Sequence, residues 1–183
     1  MGCILKDNDL SDTHSGSSFP TYYSIIKWQL HKNLVHFIKS FCKLFKLQKF
    51  ILNYKKDENC RAFSYFPGKI DYVTGADLFL KNKFLARFDE RFFLYFEETD
   101  LQLAMKRNGY YSFLIEDPKI IHFYKKTDET FEISSFSDIC SQNSAIRYSK
   151  KNLSSKAYLL RFLILLDLSN PYIWKLRKKI CPK

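Results

Sequence analysis

Residues Phe88 to Leu101, FDERFFLYFEETDL, bring carboxylates and aromatics together at what reads as a helix start. A histidine closes the apolar run Ile120-Ile121-His122, twenty-one residues beyond Leu101. A carboxylate that reaches hydrogen-bond distance of a hydroxyl and is ionised can take its proton. An imidazole can exchange a proton or complete a metal site. Glu97, Glu98, Asp100 and His122 therefore read as half of a catalytic site. Each also has a plainer role. Carboxylates in a first helical turn offset the macrodipole and cap free N–H groups, worth about 0.3–1 kcal/mol each, and this is the role expected of Asp100. One histidine at a strand end makes no metal site by itself. Gly75 and Ala76 either admit a ligand close to the backbone or mark a bulge. Arg91, Phe92, Phe93 and Tyr95 are expected to wall the acidic block from beneath, with the Phe pair in the core.

The elements that must position these groups show in the patterning. Gly2 to Leu5 reads as a strand end, followed by a polar turn and Phe19-Pro20. From residue 23 to 56, Ile26, Leu30, Leu34, Phe37, Ile38, Phe41 and Phe45 recur at three and four, the spacing of one helical face. Ile70 to Val73 and Leu78 to Leu80 read as short strands around Thr74-Gly75-Ala76. A helix is expected from about Glu98 to Asn108, with Lys106 and Arg107 in its last turn and Gly109 as its stop. Tyr110 to Ile115 and Lys119 to Phe123 alternate as two strands around an Asp117-Pro118 turn. After a polar stretch, a last helix runs from about Ser154 to Leu168, ahead of Pro171 and the basic tail WKLRKKICPK.

Composition sets the limits. The 183 residues are 46% hydrophobic and 17% aromatic, which excludes a disordered chain. Net charge is +11, and it is concentrated. Between His14 and Lys56 stand eight Lys and no acid, and past Asp167 five more basic residues and no acid. Basic segments interleaved with aromatics bind phosphate backbones, and basic amphipathic helices lie on anionic membranes. Composition does not separate the two, although no RNP pattern, zinc finger or helix-turn-helix supports nucleic acid as the partner. Five scattered cysteines without a CxxC pair argue for reduced thiols in a cytosolic compartment and against structural zinc. No secretory signal and no run of about 18 apolar residues is visible.

The segment DYVTGADLFLKNKFLARFDERFFLYFEETDLQLAMKRNGYYSFLIEDPKIIHFYKKT resembles the catalytic C-terminal half of family 2 glycosyltransferases, in their rhamnosyltransferase-like branch. The shared features are the G-A segment, the FDE-x-FF-x-Y-x-E-E-x-D-L block, a helix ending in G-Y and an I-x-H strand end. The resemblance implies an α/β fold of the GT-A kind and an inverting transfer of sugar from a nucleotide-sugar donor to a glycan or lipid-linked acceptor, in surface polysaccharide biosynthesis. It places the general base on Glu98, with Glu97 before it, although the family often has Asp there. Gly75, Ala76, Asp100 and Arg91 fall on the substrate side. His122 matches a metal-side histidine joining a divalent cation, manganese or magnesium, that bridges the diphosphate.

The same resemblance implies that the N-terminal nucleotide-binding half and its D-x-D motif are missing. Asp7-Asn8-Asp9 has the letters but the wrong position. On this reading the fold is an incomplete GT-A domain, residues 1–127, carrying a basic helical insert at 23–56. A helical extension with a basic tail follows at 128–183. The absent half is expected to leave an unpaired sheet edge, and a non-catalytic remnant binding glycan or membrane is the alternative reading. The insert is expected either to pack its apolar stripe on the domain with its Lys in water, or to rest that stripe on the inner face of the cell membrane, making the protein cytoplasmic and peripheral.

Overall fold

A computed structural model of the chain describes residues 1–6, 10–44, 66–81, 87–122, 136–154 and 156–167. The expected elements at Phe45–Lys56, the Asp7-Asn8-Asp9 segment and the basic tail lie outside them. The chain divides into two compact units. One comprises Met1–Phe19 with Arg61–Thr130, the other Pro20–Cys60 with Phe131–Lys183. The insert, assigned above to the first domain, groups instead with the C-terminal extension.

The first unit is α/β. Strand β1 (Gly2–Lys6) lies parallel to β5 (Ser112–Ile121), and β3 (Gly68–Ile70) lies antiparallel on the other side of β5, giving a mixed sheet of order β1-β5-β3. Pairing begins at Gly2↔Leu114 and ends at Lys6↔Ile121, with a register shift between Cys3 and Leu5. The shift falls where Pro118 has no N–H to give the ladder, so the two strands expected around Asp117-Pro118 form one interrupted strand. A second pair joins β2 (Gly16–Ser17) to β4 (Tyr72–Val73). The strand expected over Ile70–Val73 is thus split, its halves pairing with different partners. Gly16 is required at this crossing, because a Cβ there would stand 2.3 Å from the Tyr72 carbonyl oxygen. Ile4, Val73 and Leu114 form the buried core, with Ile70 and Leu78 against it.

The outer edge of β1 is covered rather than open. Met1 and Phe79 exchange main-chain hydrogen bonds of 2.9 and 2.8 Å. The Cys3 N–H donates to the Asp77 carboxylate, and the Leu5 N–H donates to Ser15 Oγ at 2.9 Å. This edge is closed by main-chain and side-chain bonds together, the Thr13 N–H adding a bond of 2.9 Å to the Leu5 carbonyl, and Leu78–Leu80 is not a strand.

The second unit is helical: α1 (Tyr22–Leu44), α3 (Phe136–Asn152) and α4 (Tyr158–Leu166), with α2 (Glu97–Arg107) belonging to the first unit. Thr21 and Ser24 start α1 reciprocally, each side-chain oxygen accepting the other's N–H at 3.1 and 2.9 Å. The face α1 buries joins Ile25 to polar side chains. Gln29 and Asn33 reach Asp167 Oδ2 at 3.3 Å and the Leu163 carbonyl at 2.7 Å, and His36 Nδ1 lies 2.7 Å from Asp167 Oδ1. Gln142 of α3 donates to Asp167 Oδ2 at 2.6 Å. Asp167 is 0% exposed, and a buried carboxylate must be surrounded by donors. Those donors turn the apolar stripe of α1 outward, so that Leu30, Leu34, Phe37, Ile38 and Phe41 are all exposed, Phe37 at 59%. Within the helical unit, then, these stripe residues are left uncovered, while Ile25 and Gln29 of the same helix are buried. Helix α4 likewise buries Leu160, Leu163 and Ile164 while exposing Leu159, Phe162, Leu165 and Leu166. No described helix is long and apolar enough to cross a membrane.

Candidate active site

Helix α2 (Glu97–Arg107) carries the acidic block in its first turn, with Lys106 and Arg107 in its last and Gly109 at φ +83° beyond it. These charges lie at the helix ends they complement. The chain enters the helix through two consecutive aromatics in the left-handed region, Tyr95 at φ 66° and Phe96 at φ 69°. Non-glycine residues there carry backbone strain, which clusters at ligand sites. Phe96 is the N-cap and offers no side-chain cap.

One side chain sets the position of α2. Gln102, buried in the helix, accepts from the Val73 N–H at 2.9 Å and donates to the Val73 carbonyl at 2.8 Å, completing β4 as a neighbouring strand would. Glu98 stands four residues before Gln102 and so shares its face. Gly75 stands two residues after Val73. Pinning Gln102 to Val73 thus sets Glu98 against Gly75: a Cβ built on Gly75 would lie 3.7, 3.8 and 3.9 Å from Glu98 Cβ, Cγ and Cδ. Gly75 and Ala76 are themselves exposed, in a 3-10 turn ending at the buried Asp77.

The electrostatics at this junction suit a base. Burial pushes the Glu98 carboxyl above its ordinary value, and the charge of Glu97 adds to the rise, while backbone N–H groups of Glu98 itself, Gly75 and Thr99 oppose it. Among the described residues, the buried atoms Glu98 Oε2, Glu97 Oε2 and Thr74 Oγ1 have no hydrogen-bond partner. Buried polar atoms are seldom left so. Thr74 and Glu98 stand in the two short segments that Gln102 brings together.

The other expected residues fall into two groups. Asp100 is buried in the first turn of α2. Arg91 forks onto Asp89, Nε to Oδ1 at 2.8 Å and Nη2 to Oδ2 at 2.6 Å, and feels Asp100 more weakly. The aromatic wall is only half formed: Phe92, which closes a turn by donating its N–H to the Asp89 carbonyl at 2.9 Å, is buried, whereas Phe93 is 75% exposed and Tyr95 also faces solvent, because adjacent side chains leave the backbone in different directions. His122 ends β5, its N–H donating to the Lys6 carbonyl at 2.9 Å. No three His, Cys, Asp or Glu side chains among the described residues gather to hold a metal ion, so these residues do not themselves assemble the expected divalent-cation site.

Cys3 is no alternative nucleophile. Burial, with the hydrogen bond and charge of Asp77, pushes its thiol up to about 11, and a protonated thiol is a poor nucleophile. Gln102 and Asp77 were missed by sequence reasoning. The one available signal for Gln102 was its place at i+4 from Glu98, and for Asp77 its place beside Gly75-Ala76. Compared with family models, curated proteins and solved structures, the chain matches none of them.

Proposed function

We propose that the chain takes part in glycosyl transfer, with Glu98 as the general base that deprotonates an acceptor hydroxyl. The observation that carries this reading is the Glu98 carboxylate itself: half-buried, more basic than an ordinary glutamate, with one oxygen lacking a partner, and lying beside an exposed turn of Gly75 and Ala76. A hydroxyl that donates to Oε2 satisfies that atom. As the hydroxyl oxygen bonds to the anomeric carbon of the donor sugar, its proton passes to the carboxylate and the nucleoside diphosphate leaves with its bonding electrons, inverting the centre. The missing side chain of Gly75 and the short one of Ala76 give a sugar ring close approach to the backbone. Asp100, buried in the same helical turn as Glu98, and Arg91 stay on the substrate side of the reading by resemblance alone.

The site alone supports proton abstraction; the sugar-transfer class rests on the resemblance of the FDE-x-FF block to the rhamnosyltransferase-like branch of the family 2 enzymes. A GT-A-like arrangement, a nucleotide-sugar donor, a glycan or lipid-linked acceptor and a role in surface polysaccharide biosynthesis belong to the same proposal. His122 would be one residue to hold a divalent cation, which would supply Lewis-acid help to the leaving diphosphate.

The test is sugar transfer by the full chain, with nucleotide-activated sugars, Mn²⁺ and a lipid-linked glycan acceptor, read as nucleoside diphosphate release. Glu98→Gln should lower turnover about 10²–10⁴-fold, the range for a lost general base, while donor binding by calorimetry stays unchanged. Turnover undiminished in Glu98→Gln, or a wild-type chain that binds no activated sugar, would overturn the proposal.

A further inference from the structure

The excess charge of the chain lies in one of its two units. The helical unit has 18 Lys and Arg against 5 Asp and Glu, a net charge of +13, whereas the α/β unit has 12 against 14, a net of −2. The cationic unit is also the one whose helices face their apolar stripes outward. Helix α1 buries Ile25 and Gln29, turns Asn33 and His36 inward to hydrogen bonds, and exposes Leu34, Phe37 and Phe41; α4 exposes Phe162 and Leu165. Neither helix contains an acidic residue.

We infer that this unit docks on an anionic lipid bilayer, lying in the interface with the apolar stripes of α1 and α4 among the acyl chains and headgroups. Three observations select that occupant. Two copies meeting through this surface would set +13 against +13, which opposes self-association. Nucleic acid is held by cations and stacking rings on the contact face, but beside its rings the outward face of α1 carries Leu30, Leu34 and Ile38, aliphatic surface that a phosphate backbone does not bury, and Lys32 is tied at 2.8 Å to Asp138. A bilayer accepts aliphatic side chains and attracts the surrounding positive charge at the same time. Helix α1 spans roughly 35 Å at 1.5 Å per residue yet is not apolar enough to cross, so it lies along the surface. The inference uses the helical unit alone and stands apart from the assignment of Glu98.

The experiment is sedimentation of the full chain with vesicles of phosphatidylglycerol and phosphatidylcholine, or of phosphatidylcholine alone. Binding should be about tenfold or more tighter to the anionic vesicles and should weaken with salt. Phe37→Ser and Phe162→Ser remove exposed side chains and leave the buried contacts intact, so circular dichroism should be unchanged. Each should weaken vesicle binding about tenfold, the effect of taking one large apolar side chain out of the interface. Absence of binding to the anionic vesicles, or binding unaffected by both variants, overturns the inference. So does single-stranded RNA that displaces the vesicles without any effect of the variants, which would assign the charge to nucleic acid. A dimer in light scattering that both variants dissolve would assign the stripes to a second copy and overturn it too.

Discussion

Replacing Glu98 by Gln should stabilise the folded chain at neutral pH, because the native carboxylate is held where its charge is disfavoured. Burial is the main reason its pKa lies above the ordinary value of 4.5, followed by the charge of Glu97. A folded-state pKa above the unfolded one means that the folded state binds more protons. Stability is therefore fully present below the ordinary glutamate range and declines as pH rises through the raised pKa. At about pH 7 the ionised group is a net cost. Desolvating the charged Oε2, which has no partner, costs roughly 1–3 kcal/mol more than desolvating the neutral amide that replaces it, and the attraction of the carboxylate to the start of α2 returns about 0.3–1 kcal/mol. The difference is on the order of 1 kcal/mol, which for a chain of 183 residues is roughly 2–4 °C in Tm. Scanning calorimetry should find Glu98→Gln melting that much higher at about pH 7 and level with the native chain at about pH 3, where the native glutamate is also neutral. A variant that melts lower at neutral pH, or an offset that is the same at both pH values, would refute the reasoning.

Further outcomes follow from the same contacts. Gln102→Leu keeps the side-chain volume but strands the Val73 N–H and carbonyl, and should cost about 2–4 kcal/mol by urea unfolding. Gly75→Ala meets Glu98 only at ordinary contact distance and needs no left-handed backbone, so Tm should hold or rise with about 0.4–1 kcal/mol of stabilisation, while sugar transfer falls because the new methyl group narrows the approach to the carboxylate. Asp167→Ala removes the acceptor shared by Gln29, His36 and Gln142; about 3 kcal/mol should be lost, visible as a fall in helical circular dichroism at lower urea. Cys3, with its thiol pushed up to about 11 and its side chain buried, should resist maleimide at neutral pH until the chain is unfolded.

The sequence made some elements legible because their signals are local. The acids of the first turn, the basic last turn and Gly109 delimit α2 within a residue of its observed bounds, and the apolar run Gly2 to Leu5 is β1. Elements set by distant partners were not legible in the same way. Helix α3 lies in a stretch that reads as polar because its buried face is Gln142, Ser144, Ala145, Tyr148 and Ser149, which leaves almost no hydrophobic period to detect. The helical period of α1 was visible, but which face it buries is decided by Asp167, 131 residues from His36, and no pattern within α1 announces that carboxylate. The same holds at the site. Glu98 and Gly75 could be named from their types, whereas the residue that brings them together, Gln102, acts by copying a strand's hydrogen bonds, a role only the fold reveals.

The assignment of Glu98 as base is tested most directly by the pH dependence of the initial rate of sugar transfer. The rate should fall on the acid side with a midpoint above the ordinary glutamate value of 4.5, as the carboxylate takes up its proton, and this limb should be missing from the residual activity of Glu98→Gln. A profile that stays flat through that range, or an acid limb that survives unchanged in the variant, would contradict it.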